Sequence, residues 1–165
     1  MNLLNFQNLL NKHKSTAESL LSNDFDNKIF GKKFYYTKSN ENKYFKGIPY
    51  NIISLRIDEK DFVQSLTLHS NKLLTSNMYK SLIEEYGRPD SIQIIDTTKI
   101  KEIKSSVSSN FKQELKKVEF KTRDGSFEDK PIFILWNKQN YQLKLFFRYE
   151  LNKCEITFRI PSNQF

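Results

Sequence analysis

Residues 131–161 constrain the fold of this chain more than any other segment, because apolar and polar residues alternate almost strictly over residues 141–150 and 154–160. The apolar positions of the first run are Tyr141, Leu143, Leu145, Phe147 and Tyr149. After a short polar break, the same alternation resumes at Cys154, Ile156, Phe158 and Ile160. A period of two gives each strand one buried face and one solvated face. With residues 132–136 as a first strand, the segment predicts a three-stranded antiparallel meander.

Two further strand pairs are predicted upstream. Residues 28–50 mix lysines with aromatic residues, and the polar run 39–42 is predicted to be the turn of a hairpin. Residues 50–70 alternate in the same way on either side of the charged turn 58–61. Isoleucines at 92, 94 and 95 predict one more strand before the basic region.

Three helices are predicted from apolar residues that recur every three or four positions. The first covers about residues 3–22, with His13 on its apolar stripe and a second start at Ser15. The clearest has its apolar residues between Leu74 and Tyr86, with Ser76 or Asn77 as the N-cap and Gly87 as the C-cap. The third is a basic amphipathic helix over residues 98–118.

These elements predict a single α+β domain over residues 1–165. Its core is a mainly antiparallel, curved sheet of about six or seven strands, with the N-terminal helix and two further helices packed on one face. The chain contains a single alanine, Ala17, and has an aromatic content of 14%. Bulky side chains favour sheets over closely packed helical bundles.

The formal charge of +8 suggests an acidic partner, and nucleic acid is one such partner. The basic residues are mostly lysines, whereas base and phosphate recognition favours the bidentate fork of arginine. A bias towards Lys, Asn, Ile and Phe, as an AT-rich genome produces, is an alternative explanation for much of the charge. The alternative nucleic-acid surface combines strands 28–50 with the basic helix 98–118, through Lys32, Lys33, Tyr35, Tyr36, Lys112 and Lys116.

Sequence motifs for common enzyme chemistry are absent. Four glycines spread along the chain exclude a P-loop and a dinucleotide fingerprint, since both need clustered glycines. Neither His13 nor His69 has a second ligand at metal-site spacing, and no metal or cofactor is predicted. The single cysteine, Cys154, is predicted to be a buried apolar residue, and the N-terminus resembles neither a signal peptide nor a membrane span.

The leading hypothesis is therefore a non-enzymatic, cytoplasmic module that binds a protein partner through the outer face of the sheet. Phe146 interrupts an otherwise polar strand face, and the predicted binding patch is Phe146 with Lys144, Arg148 and Arg159. A further alternative is a small-molecule site or acid–base enzyme with a pocket between sheet and helix, near His69, Tyr86 and Asp90. A homodimer through the N-terminal helix is the remaining alternative.

Overall fold

A computed structural model of the chain describes residues 5–22, 25, 27–28, 34–108 and 111–161. For residues 27–28, 99–108 and 111–118 it describes the backbone alone. The described residues divide into two compact units, one made of residues 1–91 with 133–165 and the other of residues 92–132. Both are mainly antiparallel sheet, and the predicted α+β class is confirmed.

The first unit contains two α-helices and the strands of one antiparallel sheet. The helices are α1 (Lys14–Leu21) and α2 (Ser76–Tyr86). The strands before α2 are β1 (Asn27–Lys28), β2 (Phe34–Phe45), β3 (Ile48–Ile57) and β4 (Val63–Ser70). The second unit holds the hairpin of β5 (Ser91–Ser108) and β6 (Phe111–Asp124), and the first unit resumes with β7 (Phe133–Asn137), β8 (Gln142–Arg148) and β9 (Lys153–Arg159). Within the first unit the strand order is β1-β2-β3-β4-β9-β8-β7.

The register of the sheet lines up the apolar residues that the alternation predicted. One row across five strands consists of Leu55, Leu66, Phe158, Leu143 and Trp136, all of them buried. We call this side the inner face. The 3₁₀ helix Phe6–Leu9 packs on it, with the Phe6 ring centroid 6.0 Å from that of Phe158. Helix α2 lies on the same face, where Tyr79 contacts Trp136. The predicted meander 131–161 is thus confirmed. The described residues form two α-helices, not the predicted three, and more strands than the predicted six or seven.

The predicted N-terminal helix is interrupted. Its described part is the 3₁₀ helix Phe6–Leu9 and α1, separated by residues 10–13. These residues turn and bridge to β4, where Asn11 N donates to Val63 O and Val63 N donates to Lys12 O, both at 2.9 Å. Asn11 adopts a φ of 58°, which ends a helix. His13 is exposed and caps α1, so its predicted place on an apolar stripe is wrong.

The predicted turn at residues 39–42 is also wrong, because those residues lie within β2. Lys38 pairs with Ile52 and Lys43 with Tyr50, so the extra residues between them form a bulge in one continuous strand. The chain reverses at Lys46 and Gly47, whose φ angles of 49° and 79° are those of a type I′ hairpin turn. The turn at residues 58–61 is where it was predicted.

The predicted helix over residues 98–118 is wrong, and this segment forms most of the hairpin β5–β6. Its apolar residues are largely β-branched and its serines are poor helix formers. Register shifts between Ile95 and Thr97 and between Ile100 and Glu102 insert extra residues into β5. A bulge changes the phase of strand alternation, so a spacing of three residues can occur in a strand as well as in a helix.

Helix α2 matches its prediction closely. The N-cap is Thr75, one residue before the predicted cap, and its side chain accepts a hydrogen bond from the Met78 backbone amide. Gly87 follows the helix with a φ of 76°, a conformation that residues other than glycine rarely adopt. The carbonyl of Gly87 accepts a hydrogen bond from Trp136 Nε1 at 2.8 Å, which ties the end of the helix to the sheet.

Candidate functional site

The outer face of the first sheet carries the polar residues of the alternating strands. Its middle row consists of Lys38, Ile52, His69, Glu155, Phe146 and Phe133, one residue from each strand in spatial order. The flanking row on one side consists of Tyr36, Ser54, Thr67, Thr157, Lys144 and Leu135. Cross-strand neighbours on one face lie close enough to interact. Six strands therefore contribute to one continuous surface.

The predicted patch residues lie together on this face. Lys144 Nζ is 4.7 Å from the ring centroid of Phe133 and 5.8 Å from that of Phe146. The Arg148 guanidinium carbon is 5.4 Å from the Phe146 centroid. Arg159 faces the same way from β9, where its Nε donates to Gln142 Oε1. The result is a half-buried aromatic pair bordered by cations, which is the arrangement of a cation–π cluster.

The charge on the outer face is strongly one-sided. In the six strands as described, the outward positions carry one carboxylate, Glu155, against a larger set of cations. These cations are Lys38, Arg56, Lys144, Arg148, Lys153 and Arg159. Partial burial lowers the pKa of Lys144, and the nearby Arg159 lowers it further, while Glu155 opposes the shift. Mutual repulsion of this kind favours an anionic ligand.

His69 lies at the centre of a polar cluster on the same face. Its Nε2 is 2.9 Å from Ser54 Oγ, and its Nδ1 is 3.8 Å from Glu155 Oε1. The same carboxylate oxygen is 3.3 Å from Arg148 Nη2. Burial lowers the pKa of His69, Arg148 and Lys153 lower it further, and Glu155 opposes them. Burial therefore favours the neutral form of the imidazole.

The order Ser54, His69 and Glu155 resembles that of a catalytic triad, yet the distances do not support that role. A separation of 3.8 Å exceeds a hydrogen bond, so Glu155 does not orient the imidazole and pairs with Arg148 instead. His69 and Glu155 line a cleft beside this cluster, whereas Ser54 is not among its described lining residues. The cluster is therefore better suited to binding than to nucleophilic catalysis.

The cleft has a volume of about 420 Å³ and lies where β4 and β8 end and β9 begins. The residues that line it are Lys38, Asn51, Ile52, His69, Ser70, Asn71, Arg148, Leu151, Lys153 and Glu155. All of them belong to the first unit. The cleft is large enough for a small organic molecule.

The three residues considered for a pocket between sheet and helix do not come together. Tyr86 is buried at the end of α2, and burial raises its pKa. The Asp90 carboxylate accepts a hydrogen bond of 2.6 Å from the backbone amide of Asn137. Asn137 is the last residue of β7 and pairs with the first residue of β8. His69 borders the cleft near the opposite end of β8. Only His69 of the three lies beside a described cavity that could hold a ligand.

The alternative nucleic-acid surface is only partly described. Lys32 and Lys33 lie outside the described residues, and Lys112 and Lys116 belong to strand β6, where the backbone alone is described. Tyr36 is 36% exposed on the outer face. Tyr35 is on the inner side, opposite Leu55, with Lys14 Nζ 4.8 Å from its ring centroid. The two tyrosines therefore face opposite sides of the sheet.

Other candidate groups offer little chemistry. Cys154 is fully buried, and burial raises the pKa of its thiol to about 12. In the part of the chain that the structure describes, no group of three or more His, Cys, Asp and Glu residues could hold a metal ion. Among those same residues, no helix is long and apolar enough to cross a membrane.

Strand alternation predicted that Phe146 and its cations share a face, but it did not predict their cross-strand partners. Phe133, Ser54 and Glu155 join the site only through the register of strands that are distant in sequence. Comparison with known proteins adds no constraint, because no family model, curated protein or solved structure matches the chain.

Proposed function

We propose that the protein is a non-enzymatic binding module whose outer sheet face holds an acidic segment of a protein partner. The observation that carries the proposal is the charge of that face, where Glu155 is the only acid among the described outward residues of the six strands, against six cations. Two of these cations lie against the aromatic pair, Lys144 near both rings and Arg148 near Phe146. Aromatic residues and arginine dominate the energetics of protein interfaces.

Both kinds of residue have a role in this proposal. The cations steer an acidic segment to the face and fix its position, since charge complementarity contributes mainly to association rate and specificity. Phe133 and Phe146 supply apolar area at the centre of the patch. A partner segment in which acidic residues flank an aromatic or aliphatic residue would match both features.

The contacts of the two rings favour a polypeptide over a nucleic acid. A base would need a free aromatic face for stacking, whereas Lys144 lies near both rings and Arg148 lies near Phe146. Glu155 lies in the middle row and would repel a phosphate backbone that crosses the sheet. A carboxylate-bearing side chain could instead bind beside either cation without crossing that row.

A titration compares the two kinds of partner. We expect a fluorescent Glu-rich peptide with one central Phe to bind at low salt with a Kd of about 10–100 μM, and to weaken as salt rises. A thymidine oligonucleotide of equal charge should bind at least about tenfold more weakly. Lys144→Gln should weaken peptide binding, whereas Lys80→Gln on the exposed side of α2 should leave it unchanged. Tighter binding of the oligonucleotide would contradict the proposal.

A further inference from the structure

The cleft at the end of the outer face contains a second concentration of positive charge. Lys38 reaches it from β2, Arg148 from β8 and Lys153 from β9. Arg148 and Lys153 are direct cross-strand partners. Three separate strands thus bring cations to one cavity, which differs from a run of lysines along a solvated surface.

One carboxylate offsets these charges. Glu155 lines the cleft with Oε1 3.3 Å from Arg148 Nη2, so it is already engaged. Three cations and one carboxylate leave a surplus of two positive charges with His69 neutral. That surplus matches a doubly charged anion.

The remaining lining residues suit an organic ligand. Asn51 and Asn71 supply amide groups that can donate hydrogen bonds to oxygen atoms. Ile52 and Leu151 give the cleft an apolar side. Ligand sites typically combine such apolar walls with a few convergent polar groups, in a volume of about 300–1,000 Å³.

We propose that this cleft binds a small organic phosphate monoester, with the phosphate among Lys38, Arg148 and Lys153 and the carbon skeleton against Ile52 and Leu151. Charge-assisted hydrogen bonds to a phosphate are among the strongest polar contacts in proteins. This site would bind a free small molecule and does not depend on the acidic partner segment proposed above.

His69 provides a built-in reporter for the site. The groups that face it are Ser54 on β3, Arg148 on β8, and Lys153 and Glu155 on β9. A bound dianion adds negative charge beside the imidazole and should raise the pKa of His69. His13, the only other histidine, is exposed at the start of α1 and serves as the internal reference.

The test follows the two histidine Cε1–Hε1 signals by NMR at constant ionic strength. Ribose 5-phosphate should shift the His69 signal with saturation below about 1 mM and raise its titration midpoint, while His13 stays unchanged. Inorganic phosphate should produce the same shift at higher concentration, and ribose should produce none. No saturable shift of His69 by either phosphate up to 10-fold above that range would overturn the proposal.

Matched variants separate a formed site from general attraction. Lys38→Gln and Lys153→Gln should each weaken ribose 5-phosphate binding about tenfold, because each removes a charged contact. Arg56→Gln removes an exposed cation from the same face outside the cleft and should have no effect. Equal weakening by all three variants would show diffuse attraction and would also overturn the proposal. Neither result depends on acidic-peptide binding, which Lys144→Gln tests separately.

Discussion

Replacing Phe158 with alanine is expected to lower the free energy of unfolding by about 3–5 kcal/mol. The ring is fully buried in the middle of the inner face, on a strand with neighbours on both sides. Its centroid lies 5.7 Å from that of Phe45, 6.0 Å from Phe6 and 6.2 Å from Tyr141. The substitution leaves a cavity between the sheet and the N-terminal 3₁₀ helix, and several aromatic contacts disappear together.

Urea unfolding followed by circular dichroism measures this loss. Phe120→Ala is the matched control, because Phe120 is 48% exposed on strand β6 and its truncation should cost less than about 1 kcal/mol. Equal and small effects of the two substitutions would contradict the described core. A loss of about 4 kcal/mol is a large part of the usual stability of a domain, so the assay is best done at low temperature.

The second large effect concerns binding. Reversing two charges of the patch, with Lys144→Glu and Arg159→Glu together, is expected to weaken acidic-peptide binding by at least about 100-fold. Each substitution replaces an attraction with a repulsion, and Arg159 also loses its contact with Gln142. Circular dichroism must therefore show that the double variant stays folded.

The control for charge reversal changes the net charge equally at two other exposed lysines. Lys60 lies in the turn between β3 and β4, and Lys80 lies on α2. The double variant Lys60→Glu with Lys80→Glu should reduce affinity only modestly, through long-range attraction that salt screens. If both double variants lose the same affinity at physiological salt, net charge alone explains the binding and the patch has no special role.

The elements that could be predicted from the sequence are those marked by strand alternation or by helix-capping residues. They include the meander 131–161, the hairpin turn 58–61 and helix α2, because each depends on residues that are close in the chain. The prediction of a helix over 98–118 was wrong because bulges in β5 interrupt the two-residue alternation, and the resulting spacing of apolar residues resembles that of a helix. The prediction of a turn at 39–42 was wrong because a run of polar residues can form a bulge as well as a turn.

The site could be anticipated only along single strands. Phe146, Lys144 and Arg148 lie within one strand, and their shared face follows from a period of two. The neighbours of His69 could not be anticipated, since Ser54 and Glu155 come from other strands and reach it only through the register. Register depends on which strands pair, and here β4 pairs with β9, although the two strands are far apart in the sequence.

NMR mapping of the Glu-rich peptide on the isotopically labelled protein would identify the binding surface directly. We expect the side-chain signals of Lys144, Phe146 and Arg148 to shift most, together with amides of β8 and β9, while the signals of α2 stay unchanged. A map centred on α2 or on the hairpin β5–β6, with β8 and β9 unaffected, would contradict the assignment of the outer face as the binding surface.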